Sequence, residues 1–430
     1  MRFFLSASAL ALSVCAAPVA TLLWHQTEPD ATYTSAAISL HGAGASPTFA
    51  TATSGLDTWP VELEVFNISS PSGTPSWTYA AAADNATAFS VVMARHCEGA
   101  GVGAVDTVVV EADADGAGQA GAAAVRGFAS TGADGTPAWS LPLGAAVREV
   151  SGLAVSDDGS AAAVTAYVYD AATGGIAPQL LVVDAQSGAV RVNITRAEGD
   201  PGGPVSLSET GEWVAWTEGD AVFVYDGASG ALRGEAISMG WNTAAQISAD
   251  GTFVAFSGQD TAAIWSWDAP TGVYILNSTI APSGTWYSES CSISSNSPTY
   301  GALVAFGWAT FNARQAHVTV YQMSTGTLLA SYTSLPNAQL QTSADVAIDG
   351  DYVGISLWGD SDDVPTCVVL KAGVPDPIFS FVTPGSMAAV AIAADQQTPG
   401  DVYFSVAGRL VPANIMGKGG DAYTWKISGA

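Results

Sequence analysis

The amino-acid sequence predicts an all-β fold in which one structural unit is repeated around a ring. The chain is rich in both apolar and turn-forming residues, with 48% hydrophobic residues, 46 Gly and 21 Pro among 430. A turn motif followed by alternating apolar residues recurs along the chain, and a second turn motif follows each clear copy. Units of this kind recur about every 50 residues, as in β-propellers. The sequence therefore predicts a seven-bladed β-propeller.

The first motif is a polar turn with glycine, followed by a strand. Its three clear copies are Ser156–Val164, Ser208–Trp216 and Ser248–Phe256. In each copy a polar residue and a Gly precede apolar residues that alternate or run together, which is typical of a strand entered through a tight turn.

The second motif is a strand that ends in Asp, two further residues, Ser or Thr, and Gly. It occurs as Leu181–Gly188, Phe223–Gly230 and Trp265–Gly272. An Asp side chain accepts hydrogen bonds from the following backbone amides, and Gly adopts the positive φ that a hairpin turn requires. We therefore interpret Asp184, Asp226 and Asp268 as turn residues, not as metal ligands or catalytic groups.

The blade count follows from the fourth strand of each unit. These strands are predicted to begin near Thr74, Thr136, Ala189, Ala231, Gly272, Thr327 and Pro377. The last strands, Met387–Ile392, Val402–Val406 and Tyr423–Ile427, then lack a fourth partner, and we expect them to pair with Thr74–Tyr79. Such pairing of the chain ends leaves no free sheet edge. Eight blades is the alternative, if Ala36–Phe66 builds strands of its own.

The N-terminus predicts export. Residues 1–20 combine an early Arg, an apolar stretch and small residues, as in a secretory signal peptide. Residues 21–61 are predicted to be a leader segment and residues 62–430 a single propeller domain, with no membrane span. Four glycosylation sequons begin at Asn67, Asn85, Asn193 and Asn277. Together these signals predict a secreted glycoprotein.

The cysteines allow one intrachain bridge after removal of a signal peptide that contains Cys15. We predict that Cys291 and Cys367, which fall in neighbouring blades, form it, and that Cys97 stays free. No Cys-x-x-Cys pair occurs, and the four His are far apart in the sequence. We therefore expect no metal site.

The two motifs, Ser-x-Asp-Gly before Val-Ala-Phe and Val-Tyr-Asp before Ser/Thr-Gly, resemble the WD-repeat-like and quinoprotein-like β-propeller superfamily. The resemblance covers most of Val61–Ile427 and is clearest over Gly152–Gly326. It implies the fold but no particular function, because propellers have many activities. The chain lacks the adjacent cysteine pair that many quinoprotein dehydrogenases of this type carry, and we expect no quinone or other cofactor.

Composition and motifs exclude several function classes. Only 12 Lys and Arg stand against 39 Asp and Glu, for a net charge of −27, so the chain lacks the basic surface of a nucleic-acid-binding protein. The segment Gly116–Gly121 matches the dinucleotide-binding glycine spacing, but Glu111, Asp113 and Asp115 directly before it would repel a pyrophosphate. The same acidic residues resemble half a calcium loop whose twelfth position, Ala122, is not a ligand.

The remaining candidates lie in loops between blades and between second and third strands. They combine aromatic and charged side chains, a pattern typical of sites for a carbohydrate, a cation or a basic peptide. The candidate ligand-binding residues are Trp241, Asp260, Trp286, Trp308, Arg314, Asp360, Asp362 and Asp363.

These observations favour a secreted, monomeric, non-enzymatic propeller. We expect it to act as a binding or extracellular structural module for an extracellular glycan or protein. The alternative is a propeller enzyme that acts on extracellular glycans or oxidises a small metabolite, with Asp260 and Asp360 as candidate acid/base groups. An enzyme requires titratable groups that converge in one pocket.

Overall fold

The chain forms eight sheets, each built on four antiparallel strands, that follow one another around a central axis. The computed structural model describes residues 18–28, 31–41, 47–55, 62–68, 74–80, 86–97, 104–113, 123–130, 134–144, 146–169, 174–196, 202–234, 237–238, 242–258, 261–281, 287–310, 315–335, 343–358, 364–410 and 419–430. Within these residues no helix is long and apolar enough to cross a bilayer. The eight sheets are the blades of a propeller, which we number 1 to 8.

Each blade has an inner, a second, a third and an outer strand. In the order of blades 1 to 8, the inner strands are β2 (Ala31–His41), β6 (Ala86–Met93), β11 (Val147–Val155), β15 (Gly202–Leu207), β19 (Asn242–Ile247), β23 (Tyr287–Ser297), β27 (Ser343–Asp349) and β31 (Met387–Ala394). In the same order, the second strands are β3 (Thr48–Gly55), β8 (Thr107–Asp113), β12 (Ala161–Tyr169), β16 (Trp213–Glu218), β20 (Phe253–Gly258), β24 (Gly301–Thr310), β28 (Tyr352–Trp358) and β32 (Val402–Arg409).

The third strands are β4 (Glu62–Asn67), β9 (Ala124–Phe128), β13 (Ile176–Asp184), β17 (Ala221–Asp226), β21 (Ala262–Asp268), β25 (Gln315–Gln322), β29 (Cys367–Lys371) and β33 (Gly420–Ser428). The outer strands are β5 (Trp77–Ala80), β10 (Trp139–Pro142), β14 (Val190–Thr195), β18 (Ile237–Ser238), β22 (Val273–Ile280), β26 (Thr327–Thr333), β30 (Phe379–Phe381) and β1 (Val19–Glu28). A short strand, β7 (His96–Cys97), pairs in parallel with β2.

The all-β propeller fold is confirmed, but the predicted count of seven blades is wrong and the alternative of eight is correct. The outer strands of blades 1 to 7 lie where the fourth strands were predicted. The outer strand of blade 8 is β1, which comes before all the other outer strands in the sequence. Residues 21–61, predicted to be a leader segment, contain β2 and β3 and most of β1, so the propeller does not begin at residue 62. Residues 1–17 of the predicted signal peptide lie outside the described residues.

The ring closes between the two ends of the chain, with a different N-terminal strand from the one predicted. Strand β33 pairs with β1, so that Val19 lies opposite Ser428 and Glu28 lies opposite Gly420. The predicted partner, Thr74–Tyr79, instead overlaps β5, the outer strand of blade 1. Strands β2, β3 and β4 are the three inner strands of blade 1, so β5 completes that blade and does not complete blade 8.

The second sequence motif forms the expected turns between third and outer strands. The Asp226 carboxylate accepts the backbone amide of Ser229 at 2.6 Å, and Asp184 accepts that of Ser187 at 2.9 Å. The glycine that follows each turn has positive φ, for example 70° at Gly230. The interpretation of these aspartates as turn residues is confirmed.

The core is divided among the blade interfaces. Eight clusters of buried apolar side chains occur, and each fills the space between one pair of neighbouring blades. The inner strands carry many small residues, such as the alanines of β31, because they are the most crowded part of the ring. This arrangement leaves a channel along the axis, and that channel positions the candidate site.

Candidate functional site

The central channel encloses a cavity of about 430 Å³. Residues from the inner strands of all eight blades line it, because the free edge of each inner strand runs along the axis. Successive side chains of an inner strand point alternately toward the two neighbouring blades: on β31, Val390 and Ile392 pack toward blade 7, and Ala389 and Ala391 toward blade 1. Most lining side chains are apolar, among them Ala36, Val92, Leu153, Val155, Leu207 and Ala347, but polar atoms make up the larger part of the accessible surface of the cavity. The polar lining side chains are Arg95, Asp157, Ser206, Gln246, Ser292 and Asp345.

Asp345 places a carboxyl group inside this cavity. It is the third residue of β27, and its carboxylate accepts the backbone amide of Val346 at 3.0 Å. The amide of Val390 in the neighbouring blade also donates to it. Burial raises the pKa of Asp345 to about 7 in spite of these two hydrogen bonds. Among the described residues no cationic side chain forms an ion pair with it.

One end of the channel is closed by a segment between β6 and β8. Arg95 donates from Nε to Oδ1 of Asp157 at 2.9 Å and from Nη2 to Oδ2 at 3.1 Å. Its Nη1 donates to the carbonyl oxygen of Ile348 at 2.6 Å. Asp157 belongs to blade 3 and Ile348 to blade 7, so the guanidinium of blade 2 crosses the axis. The two-point pairing with a carboxylate fixes its orientation.

The next residue, His96, extends this closure to two further blades through Asp349 of blade 7. Its Nε2 lies 3.2 Å from a carboxylate oxygen of Asp349 in blade 7. The same carboxylate accepts Asn296 Nδ2 of blade 6 at 2.8 Å and the amide of Ala394 of blade 8 at 2.8 Å. We call Arg95, His96, Asp157, Asn296 and Asp349 the channel floor. It links blades on opposite sides of the ring.

The two titrating groups of the channel floor stabilise each other's charged form. Burial alone would lower the pKa of His96, but the hydrogen bond and charge of Asp349 outweigh it and raise this pKa above its usual value. Burial would raise the pKa of Asp349, but the hydrogen bond from His96 and the charge of Arg95 hold it below its usual value. The pair is therefore ionised under mildly acidic conditions.

Turns at the same end of the channel add a partial ring of backbone hydrogen bonds. The amide of His96 donates to the carbonyl of Asp157, that of Asp158 to Glu209, and that of Glu209 to Ala249, at 3.1–3.2 Å. All of these residues except His96 belong to the three clear copies of the first sequence motif. The motif therefore shapes the channel floor as well as the hairpins.

One predicted ligand-binding residue, Trp308, lies within the described residues and is fully buried. Its Nε1 donates to the Thr319 hydroxyl at 3.0 Å, and its ring packs near Phe306 between blades 5 and 6. The prediction that it lines a binding loop is wrong, because it lies within strand β24. The other candidates, Trp241, Asp260, Trp286, Arg314, Asp360, Asp362 and Asp363, lie outside the described residues.

The strand ends that flank those seven candidates all belong to the face where the inner strands begin. Asn242, which follows Trp241, lies opposite Gly258, near Asp260 in sequence. Ser343 lies opposite Trp358, the last described residue before the acidic run at 360–363. This face is opposite to the channel floor. The glycine-rich segment 116–121 and Ala122 also lie outside the described residues.

The predicted disulfide is absent: Cys291 and Cys367 are free and buried. They occupy neighbouring blades as expected, but their side chains face apart. Cys291 packs in the cluster between blades 5 and 6, whereas Cys367 packs in the cluster between blades 7 and 8. Burial raises the pKa of Cys291 to about 12 and that of Cys367 as well, so both thiols are protonated and weakly reactive at neutral pH.

Sequence reasoning missed the groups that line and close the channel. Asp157 occupies the variable position of the first motif in the copy at Ser156–Val164, so that motif was the available signal for it. Asp349 precedes Gly350 and a strand, in the same polar–Gly–apolar order as that motif. Asp345 and Arg95 have no local signal. No group of three or more His, Cys, Asp or Glu within the described part of the chain is arranged to hold a metal ion.

Comparisons with known proteins add little to this description. No family model and no curated protein sequence matches the chain. Among solved structures, the chain is similar to hydrazine synthase from Kuenenia stuttgartiensis, at 14% identity, over 60% of this chain and 75% of that one, with a TM-score of 0.40. A likeness of that size carries no argument about activity. The assignment of an eight-bladed β-propeller rests on the strand order itself.

Proposed function

We propose that the protein is a secreted, non-enzymatic binding module whose ligand enters the central channel. The observation that carries this proposal is the cavity of about 430 Å³ on the axis, which ends at the channel floor and contains the carboxyl group of Asp345. Ligand sites are typically concave, begin at about 300 Å³ and contain a few polar groups that orient the ligand. The ligand is a small molecule or the terminal group of an extracellular glycan or protein.

Binding fits the lining better than catalysis does. Arg95 and Asp157 are held in a two-point pair, and both oxygens of Asp349 accept hydrogen bonds from the surrounding blades. Asp345 has no second titratable side chain hydrogen-bonded to it among the described residues. General acid–base chemistry needs at least one further group in reach of the reacting atoms. A channel with one available carboxyl group is suited to holding a ligand.

Filling the channel is expected to abolish binding. Ala347 lines the cavity where blade 7 meets blade 8, so Ala347→Trp should narrow it with an indole ring, and an unchanged melting temperature shows that the ring stays folded. Saturation-transfer NMR with a library of small fragments should detect binders to the wild-type protein that lose their signal with this variant. Leu328→Trp is the matched control, because Leu328 is 51% exposed on outer strand β26. Fragments that bind both variants equally, or a wild-type protein that binds none, would contradict a channel site.

Export and glycosylation have their own test. Three of the four sequon asparagines, Asn67, Asn193 and Asn277, are exposed on third or outer strands at the rim of the ring, and Asn85 lies outside the described residues. We expect the protein from a eukaryotic secretory host to appear in the medium without Met1. Peptide-N-glycosidase should lower its apparent mass, and Asn193→Gln should remove one step of that shift. An unchanged band on protein that retains Met1 would contradict the secreted-glycoprotein proposal.

A further inference from the structure

The charges inside the channel do not balance. Three charged side chains line the cavity: Arg95, Asp157 and Asp345. The first two neutralise each other, because the guanidinium donates to both oxygens of the Asp157 carboxylate. When Asp345 is ionised, the cavity therefore carries one uncompensated negative charge. The chain as a whole carries a net charge of −27, and this field also favours the approach of cations.

The strands packed against β27 bring no cation to Asp345 within the described residues. Strand β23 contains Cys291, whose thiol packs toward blade 5, and Tyr287 and Glu289, whose side chains are not described; β28 contains Tyr352. Strands β24 and β31 carry no titratable side chain. On β25, the two sequence neighbours of His317 belong to the cluster that includes β27, so His317 faces the opposite side of the sheet. On β27 itself, Asp349 is held at the channel floor.

Resting on the proposed function of the channel, we propose that its ligand is an organic cation, a compact molecule or terminal group with a protonated amine that pairs with Asp345. The carboxylate provides the counter-charge, and Ser292 and Gln246 provide polar atoms in the same cavity. An ammonium group has three donors, which suits a cavity that contains a carboxylate together with hydroxyl and amide oxygens. The remaining lining side chains are mostly apolar, such as Ala347, and can contact the carbon skeleton of the amine while polar atoms of the lining accept from its N–H groups.

The same geometry makes binding sensitive to pH. The cation binds the ionised carboxylate, and burial raises the pKa of Asp345 to about 7, so a proton competes with the ligand near neutral pH. Affinity should be nearly constant above pH 8 and fall about tenfold for each unit well below pH 7. Between pH 8 and pH 5.5 the association constant should fall roughly 30-fold. The ligand is thus held at neutral pH and released in acid.

Isothermal titration calorimetry with cyclohexylamine tests this inference, with cyclohexanol as a neutral molecule of the same shape. We expect the amine to bind the wild-type protein at pH 8 at least ten times more tightly than the alcohol. Asp345→Asn, which keeps the size of the side chain but not its charge, should remove that preference. Asp376→Asn is the control, because Asp376 is an exposed turn residue. Equal binding of amine and alcohol, or of amine to wild type and Asp345→Asn, overturns the amine class.

The outcomes separate this inference from the proposed function. If Asp345→Asn binds the amine as well as wild type does but Ala347→Trp does not, the channel is a ligand site for another class of molecule. If Ala347→Trp binds the amine with the same affinity as the wild-type protein, the ligand does not bind in the channel and the proposed site is wrong. Should Asp345→Asn fail to fold, the pH series on the wild-type protein decides. An amine affinity that is unchanged between pH 8 and pH 5.5 overturns the proposed pairing.

Discussion

Removal of Ala422–Ala430 is expected to unfold the whole ring rather than to fray one end of it. The deletion removes most of β33, which lies between β32 and β1 in blade 8. Strand β1 then has no sheet partner, and β32 becomes an exposed edge. The ring is opened at the one place where the two ends of the chain hold it closed.

The lost packing is as large as the stability of a typical domain. Tyr423, Trp425 and Ile427 are buried between blades 7 and 8, and Ala422 is buried between blades 8 and 1. Loss of a large buried side chain costs about 2–5 kcal/mol. Three such losses are comparable to the roughly 5–15 kcal/mol that stabilises a folded protein. Circular dichroism should therefore show no cooperative thermal transition, and the truncated protein should aggregate.

A shorter truncation is the control for this experiment. Removal of Gly429 and Ala430 keeps every paired residue of β33 but takes away the Ala430 carbonyl that accepts the Tyr352 hydroxyl at 3.0 Å and Lys371 Nζ at 2.9 Å. We expect a loss of only about 1–2 kcal/mol, as for individual hydrogen bonds. A nine-residue truncation that melts at the wild-type temperature would show that the ring does not depend on this closure.

Asp349→Ala should be the most damaging single substitution in the channel floor, with a loss of about 3–5 kcal/mol in the free energy of unfolding. The change leaves the side chain of His96, that of Asn296 and the amide of Ala394 without their acceptor. Urea unfolding measures the loss. The matched control is Asp226→Ala, which removes an exposed turn carboxylate and should cost about 1 kcal/mol.

The effect of Asp349→Ala should also depend on pH. His96 has a raised pKa, so its contribution to stability is complete below its unfolded value near 6.5 and is lost as the pH rises through the folded value. Asp349 has a lowered pKa, so its contribution is present above about pH 4 and is lost as the pH falls through the folded value. The difference between wild type and variant should be largest between roughly pH 4 and 6.5. A difference that does not shrink from pH 5 to pH 8 would show that the pair is not ionised.

Local turn chemistry made much of the fold predictable. The hairpins at Asp184 and Asp226 depend on residues two to four positions apart, so a short stretch of sequence is enough to predict them. The same signals placed the outer strands of blades 1 to 7, and the alternating apolar runs placed β31, β32 and β33. Alanine favours helices in isolation, but the crowding of the inner strands makes β31 a strand.

Long-range pairing decided the blade count and the site residues. Strand β1 lies at the opposite end of the sequence from its partner β33, and its apolar start overlaps the predicted signal peptide, so no local pattern identified it as a blade strand. From the sequence, Trp308 was predicted to lie in a binding loop and Cys291 to form a disulfide bond. Their burial depends on which face of a strand meets the next blade, and a one-residue difference in register reverses that face.

By itself, the sequence determined the all-β class, the repeated four-stranded unit, the turn residues and the acidic surface, because each of these depends on composition or on neighbours along the chain. Only the tertiary structure decided that eight blades close through β1, and that Arg95 reaches Asp157 and Ile348 across the axis. The channel with Asp345 is also a product of the ring. Its lining comes from eight separate strands, and burial, which raises the pKa of that carboxyl, exists only once those strands are assembled.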